Sequence, residues 1–312
     1  MIRKWHFFAF IFFSFILFFR FLSKPQASCI CQDCPSTSGE STEASLSFKW
    51  DYVPANLIFI GSTPGTVGQI PQHHNEVQSI SNKISARLTL PYSDSTSLLL
   101  SVPYIFRSHE HIHRHHGIDI PESWYISELG DISIGLIHRI EQATFLLEGK
   151  LPTGATNRQN TKEKAGEIGI QPGSGSFDFI LGLAYEGSIS AFSKTLPIMQ
   201  TISIGIPGYG LGGYTLGSSL TYAISTTQNW GGSLSTEIGL TSKYQEQSNF
   251  GTLNEEKKNT GGRWIWGNIG INWKLNNASQ SAINLYLPLY QHLNGIQITS
   301  GWMMQVESKY MF

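Results

Sequence analysis

The sequence predicts an all-β fold: a transmembrane antiparallel β-barrel of about twelve strands, with short periplasmic turns and long extracellular loops. Three observations carry that expectation. The final segment alternates apolar and polar residues, the earlier segments do likewise, and the connections between them alternate in length. In 302–312, Trp302, Met304, Val306, Tyr310 and Phe312 share one face, with Ser308 its weak member; Met303, Gln305, Glu307, Lys309 and Met311 form the other. Successive side chains of a strand point to opposite sides, so this segment suits a wall between lipid and a polar interior. Barrels of the bacterial outer membrane typically finish on such a strand, with an aromatic at the last position.

Residues 1–28 read as a signal peptide for export. Arg3 and Lys4 precede an apolar run, 7–19, too short to span a bilayer comfortably, and Pro25-Gln26-Ala27-Ser28 offers small residues for cleavage. Arg20 at the end of that run leaves an uncleaved anchor as the alternative. Residues 29–44 form a Cys-containing polar linker. Its three cysteines, Cys29, Cys31 and Cys34, cannot all pair internally, and a structural zinc site wants four ligands. A Cys31–Cys34 disulfide in an oxidising periplasm is one reading. Lipidation of Cys29 is the other, since Ala27-Ser28-Cys29 suits a lipobox although Gln26 stands where Leu is usual. Residues 35–44 read as a flexible polar lead into the barrel proper, 45–312.

Composition agrees. Charged residues make up only 14% of the 312, glycine numbers 31 and aromatics reach 12%. Past the signal, no run approaches the ~20 apolar residues of a transmembrane helix, and no stretch holds a 3.6-residue apolar period. Removing residues 1–28 takes four bases from the 21 and no acid from the 22, leaving a net charge of −5. That argues against nucleic acid as a partner.

The expected strands are 46–53, 77–90, 97–107, 131–140, 144–151, 177–186, 193–204, 214–225, 234–241, 263–275, 283–290 and 302–312. In 177–186, Phe177, Phe179, Leu181, Leu183 and Tyr185 oppose Asp178, Ile180, Gly182, Ala184 and Glu186. In 263–275, Ile265, Ile269, Ile271, Trp273 and Leu275 oppose a face bearing Asn268, Asn272 and Lys274. Connections after even strands are brief (92–96, 141–142, 187–188, 226–231, 276–279), whereas those after odd strands are mostly long (54–76, 108–130, 152–176, 242–262). Outer-membrane barrels alternate in this way, and a soluble sandwich has no reason to.

The densest chemistry lies at Arg107-Ser108-His109-Glu110-His111-Ile112-His113-Arg114-His115-His116, where five of the ten histidines fall within eight residues. If the strand continues, His109, His111, His113 and His115 share the inward parity of Leu99 and Ser101. Imidazoles so spaced could bind zinc, copper or nickel, with His73, His74 or His292 completing the shell. The competing reading is a solvated polar loop with no dedicated ligand. Other motifs lose their context. Leu151-Pro152-Thr153-Gly154 lacks the tail of a sortase signal, and Gly208-Tyr209-Gly210-Leu211-Gly212-Gly213 is followed by no helix, so it is not a dinucleotide loop. His138 has lipid-facing parity and reads as interfacial rather than as the base of a barrel hydrolase; no enzyme is expected.

Val102-Pro103-Tyr104, Arg107-x-His109-x-His111, Leu129-Gly130-Asp131, the strand-ending Pro152-Thr153-Gly154 and Gly173-Ser174-Gly175-Ser176-Phe177-Asp178 together resemble an outer-membrane barrel family labelled for the MetA pathway of phenol degradation, whose members are loosely called transporters. The specific resemblance covers about 45–190. It implies a barrel that passes small solutes, aromatic or hydrophobic ones among them, with no required cofactor. The expected function is therefore a channel or uptake protein in the outer membrane, whose partners are the lipid bilayer, a small-molecule solute and the barrel-assembly machinery. The alternative is a non-transporting surface protein that binds metal or a partner through its histidine rim.

Overall fold

The computed structural model describes residues 44–70, 74–115, 118–191, 194–253 and 257–312. The expected signal segment, the three cysteines and His73 lie outside the described residues. Fifteen strands form one sheet: β1 (Ser45–Ile60), β2 (Thr63–Pro64), β3 (His74–Pro91), β4 (Thr96–His115), β5 (Ile118–Leu129), β6 (Ser133–Ile140), β7 (Ala143–Lys150), β8 (Asp178–Ala191), β9 (Lys194–Ile206), β10 (Ser219–Asn229), β11 (Leu234–Gln245), β12 (Gly262–Lys274), β13 (Ser279–Leu293), β14 (Ile296–Ser300) and β15 (Met303–Met311). Twelve of them make a ring, with β2, β5 and β14 added along its longer rim. Every pairing is antiparallel, and β1 closes the ring by pairing with β3 on one side and β15 on the other. Closure leaves the twelve-strand ring without a free edge, while β2, β5 and β14 each pair on one side only among the described residues.

The wall is inside-out relative to a soluble protein, and the alternation explains why. On β8, Phe179 and Leu181 are exposed on the outer surface while Ala184 is buried. On β12, Ile269 and Ile271 face out and Asn268 faces in. The buried set is accordingly polar, with Asp51, Glu148, Thr201, Glu237, Asn284 and Gln305 all turned inward. Such burial is rare in water-soluble folds unless the groups are paired, and is ordinary in the lumen of a membrane barrel.

Two expected loops are instead strand. Segment 108–130 forms a hairpin: β4 runs on to His115, and β5 returns along it from Ile118 to Leu129. The lower half of β4 pairs with β6, so β5 and β6 are one return strand broken at 130–132. Likewise β1 continues through Pro54 to Ile60 and pairs with β14. The alternation on 108–115 had signalled the continuation, but the charged and histidine side chains had suggested loop. One expected strand starts late: 214–218 is irregular and β10 begins at Ser219. On β4 the exposed apolar side chains end at Phe106, beside Tyr104 at 4.8 Å. Beyond this aromatic pair the outer face of β4 carries Ser108, Glu110, Ile112 and Arg114, a mostly polar set, so the hairpin stands clear of the lipid-facing band.

Candidate functional site

Inside the ring lies a cavity of about 500 Å³. Its wall is lined by charges that pair off. Lys49 and Lys83 flank Asp51 at 3.7 and 3.4 Å, and Arg87 reaches Glu148 at 3.6 Å. Lys150 bridges Asp131 (2.6 Å) and Asp178 (2.8 Å). Pairing offsets the cost of holding charges away from bulk water and narrows the free bore.

The roof of the cavity is the long connection between β7 and β8, residues 151–177, which folds inward instead of outward. Its two ends are tied together by Asp131, which accepts Gly154 N–H (2.8 Å) on one oxygen and Ser174 N–H (2.9 Å) on the other. The strand-ending Pro152-Thr153-Gly154 and the glycine-rich re-entry thus meet at one carboxylate. The approach explains the glycines, since a Cβ on Gly173 would stand 2.3 Å from the Gly154 carbonyl oxygen. From this base the segment crosses the mouth. Ile170 packs with Trp124 and Ile126 of β5, and Ile168 packs with Tyr214 and Phe250, which lie between β9 and β10 and between β11 and β12. Trp124 Nε1 donates to Lys164 O (3.0 Å), Arg107 donates to Gly169 O (3.3 Å), and Arg158 pairs with Glu128 at 2.6 Å. Apolar contacts at both shores and hydrogen bonds along its length hold the crossing in place.

At one shore sits a cluster of histidines and glutamates. Strand register assembles it, because His74 lies opposite His113, His111 opposite Glu122, and His109 opposite Trp124. The rings of His74 and His111 stack at 4.9 Å, and His111 lies 4.7 Å from Trp124. Glu167, just before the apex of the inserted segment, brings Oε1 to 2.7 Å from His74 Nδ1 and 3.5 Å from His111 Nδ1. His111 Nε2 meets Glu122 Oε2 at 3.2 Å, and Lys164 pairs with the other oxygen of Glu122. His74, His111 and Glu167 offer three ligand atoms within 4.8 Å of one another, a grouping that could hold a metal ion.

Burial governs the protonation here. It pushes the His109 imidazole down to about 4 and lowers His111 as well, against the pull of Glu167 and Glu122. Burial works to raise Glu122, yet hydrogen bonds from Lys164 and His111 hold its carboxyl below the usual range. For Glu167, burial is likewise outweighed by His74 beside it.

Of the histidines singled out in the sequence, His74, His109, His111 and His113 come together. His115 is described through its backbone, paired with Ile118, and His292 sits elsewhere on the rim, its Nδ1 2.9 Å from Ser62 Oγ. Glu122, Trp124, Lys164 and Glu167 were not anticipated. The alternation Ile120, Glu122, Trp124, Ile126 could have revealed the first two, had 118–129 been read as a strand. His138 is on the outer face, 2.9 Å from Thr96 Oγ1.

No family model matches the sequence, and no curated protein matches it. Solved structures do. An outer membrane channel from Pseudomonas putida F1 superposes with a TM-score of 0.58 at 12% identity, covering 94% of this chain and 100% of that one. The fold is that of an outer-membrane barrel. Looser similarity extends to a Pseudomonas aeruginosa FadL homologue (TM-score 0.43, 9% identity, 86% of this chain and 90% of that one). The P. putida toluene transporter TodX stands at the same TM-score of 0.43 with 8% identity, covering 86% of this chain and 90% of that one.

Proposed function

We propose that the protein is an outer-membrane channel for small solutes, exported by its N-terminal signal and inserted by the barrel-assembly machinery. The observation that carries this reading is the lumen itself. A closed apolar-skinned wall surrounds a polar-lined cavity of about 500 Å³, roofed by a tethered segment and not filled by side chains throughout. Barrels of about eight strands close up on their side chains, whereas those of sixteen or more leave open aqueous pores. Twelve strands with an inserted loop give a selective, narrow passage. The resemblance of 45–190 to the phenol-degradation barrel family supports small aromatic or hydrophobic solutes, and Ile105, Leu146, Ile180 and Tyr214 give the cavity apolar patches among its charge pairs.

Purified protein in planar bilayers should show small, discrete conductance steps, and liposomes carrying it should swell in solutes below a sharp size limit. Shortening 158–170 should enlarge both. Bilayers that stay silent with the intact and the shortened protein alike would remove the channel reading.

A further inference from the structure

We propose that a divalent transition ion of the zinc type binds His74, His111 and Glu167 and clamps the inserted segment across the barrel mouth. The argument begins with a proton. Glu122 is a carboxylate that Lys164 also contacts, so it only accepts hydrogen bonds; at 3.2 Å, His111 Nε2 must therefore carry the hydrogen and donate it. That fixes the tautomer and leaves a lone pair on His111 Nδ1. The atom facing this lone pair at 3.5 Å is Glu167 Oε1, another acceptor. Two acceptors facing each other in a buried place call for a cation between them. Ligands bound at ~2.0–2.1 Å to a tetrahedral ion lie roughly 3.3–3.4 Å apart, close to the separation seen here.

The rest of the surroundings fit the same ion. His74 Nδ1 supplies the third ligand; it stands 2.7 Å from the same Glu167 oxygen, at hydrogen-bond distance, so the ion replaces that bond and the two atoms part by roughly 0.6 Å to reach the tetrahedral separation. A carboxylate behind a metal-bound imidazole is the usual second layer of a histidine metal site, and Glu122 occupies that place behind His111. Lys164 is engaged by Glu122 and Arg107 reaches Gly169 O, so the face presented to the ligand is one carboxylate and two imidazoles, a donor set for a cation and not for an anion. His109 stands edge-on to His111 at 5.7 Å, 1% exposed, with neither ring nitrogen hydrogen-bonded among the described residues. It neighbours the site without belonging to the group of three ligand atoms.

The ligands come from three places: His74 from β3, His111 from β4 and Glu167 from the inserted segment. Binding therefore cross-links the roof to the wall. Glu167 precedes Ile168, whose side chain packs on Tyr214 and Phe250 at the far shore. A metal at Glu167 would pin the near end of that span while the apolar contacts hold the other. That the pinned roof also restricts passage rests on the channel reading above; the clamp itself does not.

The test uses the full-length mature protein in detergent, stripped with chelator and titrated with zinc chloride. Calorimetry should show one saturable site. Trypsin cleavage at the exposed Lys162 and Lys164 should slow on adding zinc, and chelator should restore it. Glu167→Gln and His74→Gln should each weaken zinc binding by on the order of tenfold or more and abolish the protection. His292→Gln should retain both. Heat-dependent gel mobility checks that each variant still forms the barrel, and two ligand variants on different elements guard against one failing to fold. Absence of saturable binding, binding undiminished in both ligand variants, or binding that leaves trypsin cleavage unchanged would each overturn the clamp. In bilayers, zinc should reduce the conductance of the parent and spare Glu167→Gln. A protected loop with zinc-insensitive conductance would overturn the closure, whereas bilayers silent in both conditions would count against the channel and leave the protection assay to decide the clamp.

Discussion

Lys150 and Asp131 meet at 2.6 Å at the foot of the inserted segment, and the same ammonium reaches Asp178 at 2.8 Å. Asp131 in turn holds the backbone of Gly154 and Ser174. One lysine thus bridges two carboxylates, one of which fastens both ends of the roof. Lys150→Met should leave those carboxylates facing each other and destabilise the base of the segment by about 1–3 kcal/mol. The readout is faster trypsin cleavage at Lys162 and Lys164 in zinc-free protein with unchanged heat-dependent gel mobility. Unaltered cleavage would show that the roof is held elsewhere.

The two faces of β8 should respond oppositely to charge. Leu181 is exposed on the outer surface, so Leu181→Arg should cost about 2–4 kcal/mol if it lies near the bilayer midplane. Ile180 lines the cavity and lies across from Glu148, which can receive a guanidinium. Ile180→Arg should fold in higher yield and shift ion selectivity toward anions. Folding yields in lipid vesicles compare the two, and equal damage would contradict the assigned faces.

Acid should loosen the β4–β5 hairpin. His109 is held neutral by burial, its pKa down at about 4 against an unperturbed ~6.5. The opened state then binds the proton more readily than the closed state. Stability is complete above about pH 6.5 and is lost as pH falls toward 4, by an amount on the order of 3 kcal/mol. Amide exchange in 107–126 of zinc-free protein should accelerate across that window more than exchange in β8 or β12. His109→Phe, which keeps the ring and removes the titration, should flatten the dependence.

Phe312 stacks on Tyr310 with centroids 6.2 Å apart, and its N–H bonds Ala44 O at 2.9 Å. Phe312→Asp places a charge in that exposed aromatic pair at the membrane boundary. The expected outcome is slower assembly, measured as a lower fraction of the heat-modifiable form, while Met311→Ala on the inner face has a small effect.

Much of the wall was legible because a strand that separates lipid from a polar lumen must alternate, and Phe179, Leu181 and Asp178 do so plainly. The rim was less legible. Residues 108–115 alternate too, but their alternation sets histidines against Ser108, Glu110, Ile112 and Arg114, only one of them apolar, so hydrophobicity alone carries almost no signal there. His109 and His111 could be placed on one face from parity. Glu167 could not be placed with them, because nothing local to 151–177 indicates that the segment turns inward; that outcome depends on Asp131 and on Ile168 finding Tyr214 and Phe250. His74 entered the cluster only through the register of β3 against β4, a pairing across the hairpin that single-strand patterns do not encode. His292, expected as one residue that could complete the shell, instead bonds Ser62.

The ring is sealed where Ser45 pairs with Met311 and Tyr52 with Met304. Every other wall seam joins neighbours in sequence, whereas this one joins partners separated by nearly the whole described chain. Loop-closure entropy makes such a contact the slowest to gain. Until β15 is in place, β1 presents one edge of backbone donors and acceptors that water or another protein must satisfy. The barrel therefore has a zipper with a single slider: assembly is complete only when the last hairpin arrives, and damage to either lip of that seam leaves the whole cylinder open rather than one strand loose.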